Sequence, residues 1–178
     1  MCVHDLAGKE AAIKQFLREH PTAPALGRHH PLLRGIDDAS WSQIIGCPAA
    51  IPVLIRGLLD ASAQDEALRL LGIVLTDDLF HLNPAMALAL PYLIKLSADE
   101  AIPGRAKIID FLVVIAEYVQ PVGDTDPRLA LLFGSDDARP ERAECKAVFT
   151  EHAEILRPQL TDLPFESQDT LLAAITAA

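Results

Sequence analysis

Apolar residues recur every three or four positions from residue 6 to residue 20, at Leu6, Ala7, Ala11, Ala12, Ile13, Phe16 and Leu17, and Pro21 ends the pattern. This spacing predicts an amphipathic helix that needs a partner for its apolar face. Residues 21–36 hold three prolines and two glycines and read as an irregular connector. A short helix is expected next, capped by Asp37 or Asp38, with Trp41, Ile44 and Ile45 turned inward and Gly46 as its stop. Pro48 and Pro52 suit the first turn of a strongly apolar helix over 51–59, where a missing N–H costs little. Residues 61–66 read as a turn and a new cap. The helix after it carries Asp65, Arg69, Gly72 and Thr76 as one narrow polar stripe.

The stretch IPVLIRGL at 51–58 returns as LPYLIKLS at 90–97, with Pro52 and Pro91 standing 39 residues apart (91 − 52). The second copy has the plan of the first: a helix over 83–96, a turn over 97–103 and a second helix over 104–119. Lys107, Asp110, Val114 and Glu117 form its less buried stripe, each 38 residues after Arg69, Gly72, Thr76 and Leu79. A helix surrounded by apolar residues is unstable alone, and two stacked copies of a helix pair bury such faces, which accounts for the phrase being written twice.

Residues 120–140 break the pattern. Three prolines, two glycines and four aspartates fall here, and a connector of this length in a compact domain is commonly functional or mobile. Leu129, Ala130, Leu131, Leu132 and Phe133 are expected to anchor its middle. Helix resumes over 139–156, and a last helix over 164–177 is expected to turn Phe165, Leu171, Leu172 and Ile175 inward. The division is therefore one domain over 1–178: an N-terminal cap at 6–46, helix pairs at 47–80 and 83–119, the connector at 120–140 and a degenerate pair at 141–178.

Composition sharpens this picture. The apolar share is 51% while aromatics are only 5%, which favours close-packed helices and an all-α fold. The formal charge is −10 and no basic run exceeds two residues, so the chain lacks an electrostatic footprint for nucleic acid and suits a cationic partner. Cys2, Cys47 and Cys145 show no C-x-x-C spacing, so neither a disulfide framework nor a zinc site is indicated. The first residues carry Asp5, Lys9 and Glu10 where a signal peptide needs an apolar run, and no stretch nears the roughly 20 apolar residues that span a bilayer. A cytoplasmic protein without membrane contact is the expectation.

Helix pairs of about 40 residues with this placement of proline resemble HEAT-like repeats of the armadillo superfamily, over residues 47–119. The run WSQIIGCPAAIPVLIRGLLDASAQDEALRLLG, a central His and ALALPYLIKL further resemble bacterial HEAT-like proteins through Trp41, Gly46, Leu54, Ile55, His81 and Pro91. That group has Gln-Gly-Thr after the His; here Leu82, Asn83 and Pro84 follow His81. The resemblance implies an α-α superhelix of stacked antiparallel pairs, about three pairs plus the N-terminal capping helix.

Candidate chemistry is sparse. Asp77 and His81 stand four apart and could share a helix face as two metal ligands, but the helix should end there and a His also suits a helix C-terminus. His29 and His30 are adjacent in a loop, where neighbouring side chains diverge, and Cys47 before Pro48 reads as a small buried residue at a turn. No catalytic residue, metal site or cofactor is assigned. Two function classes follow. The first is a non-catalytic module holding a basic protein on an acidic surface formed by Asp77, Asp78, His81, Asp110, Glu117, Asp124, Asp126, Asp136 and Asp137. Within it stand a scaffold or adaptor and, because immunity proteins of bacteria include HEAT-like members, an immunity protein that neutralises a toxin such as a nuclease. The second class is a small metal-dependent enzyme or sensor using Asp77, Asp78 and His81. The same aspartates also suit helix caps and turns.

Overall fold

The structure, a computed structural model, describes residues 5–77, 81–122, 128 and 133–176. Asp5 opens the first helix: its Oδ1 accepts from the Gly8 N–H at 2.6 Å, and α1 runs Leu6–Glu19. The face it buries is Lys9, Ile13 and Phe16, spaced four and three, so a lysine occupies the first place of the apolar stripe.

Residues 21–46 follow as turns and two short 3-10 turns, Pro31–Leu33 and Trp41–Gln43. The short α-helix expected here is thus a single 3-10 turn. Trp41 is buried and its Nε1 donates to the Ile36 carbonyl at 2.8 Å, but Ile45 is 94% exposed. Between Ser40 and Gly46, which sits at φ 75°, the chain has too few residues for the i, i+3, i+4 alternation that would have turned Ile45 inward. Asp37 does not cap this turn; it is ion-paired to the buried Arg56.

Further along the chain come the helices α2 (Ile51–Gly57), α3 (Gln64–Val74), α4 (Ala85–Ala98), α5 (Arg105–Tyr118), α6 (Pro140–Glu151), α7 (Ala153–Leu156) and α8 (Phe165–Ile175), and the described residues hold no strand beyond an isolated bridge between Thr76 and Leu82. The fold is all-α. None of these helices is long and apolar enough to cross a membrane.

Helix α2 packs on α3, and α1 on α3. Helix α4 packs on α5, α6 and α7, while α5 packs on α8 and α6 on α8. Glycine makes two further approaches workable. A Cβ at Gly57 of α2 would lie 2.7 Å from Phe16 Cζ of α1. One at Gly104, which enters α5 at φ 62°, would lie 2.4 Å from Gln64 Oε1 of α3. Lys107 Nζ of α5 reaches both carboxylate oxygens of Asp65 on α3 at 2.7 Å, a side-chain link between these two helices.

The repeated phrase does not occupy equivalent turns. Pro52 stands in the first turn of α2, whereas Pro91 lies inside α4, because α4 starts 34 residues after α2 (85 − 51) while the prolines are 39 apart. Both copies nonetheless bury their Leu: Leu54 and Leu93 are fully enclosed. In α8 the inward face is Leu171, Ala174 and Ile175; Phe165 at 75% exposure and Leu172 at 46% lie outside it, contrary to the sequence expectation. They are seven apart and so share one outward face, which the apolar spacing alone does not distinguish from the inward one.

Candidate functional site

The predicted acidic residues fall into three groups. The first is the α3–α4 turn. Asp77 N–H donates to the His81 carbonyl at 3.0 Å and Asn83 N–H to the Leu75 carbonyl at 2.9 Å, so the two arms of this turn are tied on either side of residues 78–80. Into it reaches Lys9 from α1, 1% exposed, whose Nζ donates to the Thr76 carbonyl at 3.0 Å and to Asp77 Oδ1 at 3.2 Å. Asn83, also buried, donates from Nδ2 to the same Asp77 oxygen at 2.8 Å and accepts from the Ala85 N–H at 2.9 Å. Asp77 is therefore a tie between three segments, although its side chain is still 45% exposed. Beside this network the Cys47 thiol is pushed up to about 11 by burial, with Lys9 pulling it down and Asp77 pushing it further up, so it stays protonated at neutral pH and is a poor nucleophile. Burial likewise raises the Cys145 thiol.

Removing either partner of the Lys9–Asp77 pair tests this assignment asymmetrically. Asp77→Asn leaves the enclosed ammonium without a counter-charge and is expected to cost about 2 kcal/mol, below the 3–5 typical of fully buried pairs because Asp77 is half in water. Lys9→Met replaces the ion by an apolar chain of similar length and is expected to cost less than about 1 kcal/mol. Urea midpoints measure both; a larger loss for Lys9→Met than for Asp77→Asn would show that the pair does not act as described.

The second group lies on α5. Asp110 and Glu117, seven residues apart, are exposed on one face together with Lys107 and Val114, as the sequence stripe predicts. Neither carboxylate has a hydrogen bond or ion pair among the described residues.

The third is the connector's return. Asp136 is ion-paired with Arg142 Nη1 at 3.1 Å and accepts from the Val122 N–H at 3.4 Å; Asp137, beside it in the 3-10 turn Asp136–Ala138, is exposed. Arg142 of α6 is itself buried. Its Nε donates to the Tyr118 carbonyl at 3.0 Å, Nη2 to the Gln120 carbonyl and Nη1 to the Gly134 carbonyl at 3.4 Å. One guanidinium thus holds both ends of the connector. Asp78, Asp124 and Asp126 lie outside the described residues, as do most of the expected anchors at 129–133.

The three groups stand as separate features: two are committed to holding segments together and one, on α5, is open to water. Sequence reasoning missed Lys9, Asn83 and Arg142. Lys9 left a trace, since it stands four before Ile13 and seven before Phe16 on the apolar stripe. Among the described residues no three His, Cys, Asp or Glu side chains come together as a metal site. Compared with family models, curated proteins and solved structures, the chain matches none.

Proposed function

We propose that this chain is a non-catalytic protein-binding module of the bacterial cytoplasm that holds a basic protein on the acidic outer face of α5, an immunity protein neutralising its toxin being the narrower form of the same reading. The observation that carries it is the pair Asp110 and Glu117, exposed, seven apart and without partners among the described residues, on a chain of net charge −10. Such groups contribute little to folding and are available to speed encounter with a cation and to select it. The HEAT-like superhelix is part of the proposal. It is supported by α4 packing on α6 and α5 on α8, as successive pairs in a stack would, and by Lys107 meeting Asp65 between the first two pairs. The alternative, a metal-dependent enzyme or sensor using Asp77, Asp78 and His81, has less support, because Asp77 Oδ1 already faces the Lys9 ammonium and the Asn83 amide.

The test is capture from the native cell with tagged protein, identification by mass spectrometry, and affinity measurement with the recovered partner. Asp110→Lys with Glu117→Lys is expected to weaken binding at least about tenfold and flatten its salt dependence while leaving the melting temperature nearly unchanged. Asp137→Lys probes the connector separately; Asp136 is unsuitable because its reversal would disturb Arg142. Unaltered binding by the α5 variant would remove that face from the site.

A further inference from the structure

The irregular connector and the turn after it border an open cavity of about 450 Å³, within the usual range for small-molecule sites. Its lining comes from one short run of chain and includes Arg28, His30, Arg34, Asp37 and Asp38. The backbone there is fixed. His30 N–H donates to the Gly27 carbonyl at 2.8 Å, Leu33 N–H to His30 at 3.0 Å, Ile36 N–H to Leu33 at 3.2 Å and Asp38 N–H to Gly35 at 3.1 Å. Gly27 and Gly35 supply the left-handed turns at φ 59° and 83°, and Leu33 and Ile36 plug the segment into the core. Such a wall keeps its shape without a ligand, which lowers the ordering cost of binding.

The charges in the wall are unevenly used. Asp37 is paired to Arg56, but the Arg28 and Arg34 guanidinium groups and the Asp38 carboxylate have no hydrogen bond or ion pair among the described residues. His30 Nδ1 is shut off from water and has no hydrogen-bond partner. Asp38 Oδ2 stands 4.0 Å and the Tyr92 hydroxyl 3.8 Å from the place a Gly35 Cβ would take, so the wall's carboxylate and a phenol of α4 both stand beside Gly35. Burial, then Asp38 and Asp37, raise the Tyr92 phenol, consistent with carboxylates gathered there.

We propose that this cavity binds a small zwitterion: an oxyanion, phosphate or carboxylate, held by Arg28 and Arg34, with an ammonium group held by Asp38. Guanidinium groups recognise oxyanions by forked, charge-assisted hydrogen bonds, and an unpaired carboxylate in the same wall repels a plain anion but favours one that brings its own cation. This site is independent of the acidic face of α5.

Isothermal titration of the full chain with phosphoethanolamine, β-alanine and inorganic phosphate tests it. Saturable binding of either zwitterion is expected, the stronger of the two identifying the oxyanion, with inorganic phosphate weaker than phosphoethanolamine. Arg28→Gln with Arg34→Gln, both at exposed positions, should weaken zwitterion binding by about tenfold or more, from the loss of charge-assisted bonds. Asp38→Asn should weaken the zwitterions and leave inorganic phosphate unchanged or tighter. No saturable heat with either zwitterion, unchanged affinity in the double arginine variant, or inorganic phosphate binding as tightly as phosphoethanolamine would each overturn the assignment.

Discussion

Leu54→Ala and Leu93→Ala are each expected to lower the unfolding free energy by about 2–5 kcal/mol. Both leucines are fully enclosed, one in α2 and one in α4, and each stands two residues after the proline of its copy of the repeated phrase. Truncation removes three carbons from contact and leaves a cavity that close-packed neighbours fill only in part. A domain of this size is stable by about 5–15 kcal/mol, so either change is a large fraction of the whole. Leu172→Ala is the internal control: its side chain is 46% exposed on the outer face of α8 and its loss is expected to cost under about 1 kcal/mol. Urea unfolding of the three variants decides the matter. Near-neutral results at Leu54 and Leu93, or an equal loss at Leu172, would show that the core is not where these helices place it.

Arg142→Met is expected to cost about 3 kcal/mol, by a different route. The guanidinium is enclosed by α6 and serves the carbonyls of Tyr118, Gln120 and Gly134 and the carboxylate of Asp136; its removal leaves those acceptors to be satisfied by water in a confined place. Arg142→Lys should recover only a part, because an ammonium is a point charge with its donors on one atom and cannot span groups arranged around a planar fork. Hydrogen exchange at the Val122 amide, which donates to Asp136, supplies the local readout and should quicken in both variants. Full rescue by lysine, or a cost below about 1 kcal/mol, would mean that the clasp is incidental.

The helices were legible because their apolar positions follow a 3.6-residue period over ten or more residues, as in α1, α3, α4 and α5. Legibility failed where that period is too short to act. Trp41–Gln43 is one 3-10 turn, and there Ile45 went outward while Trp41 went in. In α8 the apolar residues are numerous enough to outline two faces, and tertiary packing, which no local spacing records, chose Leu171 and Ile175 over Phe165 and Leu172. The buried polar ties were least legible. Lys9 and Asp77 are 68 residues apart, and Arg142 reaches back 24 to Tyr118, so their pairing exists only once the chain is folded. The exposed α5 stripe, by contrast, follows from one helix and was read correctly at Lys107, Asp110, Val114 and Glu117.

The guanidinium that grips both Gln120 and Gly134 also bears on how this chain can change over generations. Two ends pinned to one side chain separate the length of the intervening segment from the packing of the helices. Closing a longer loop costs only logarithmically more, about 0.6 kcal/mol for each doubling. Insertions and deletions between these two anchors are expected to cost less than the same changes inside α4 or α5, which would shift every buried residue downstream. Descendants of one ancestral chain can diverge in this segment, in length and in sequence, while inheriting the body that carries it.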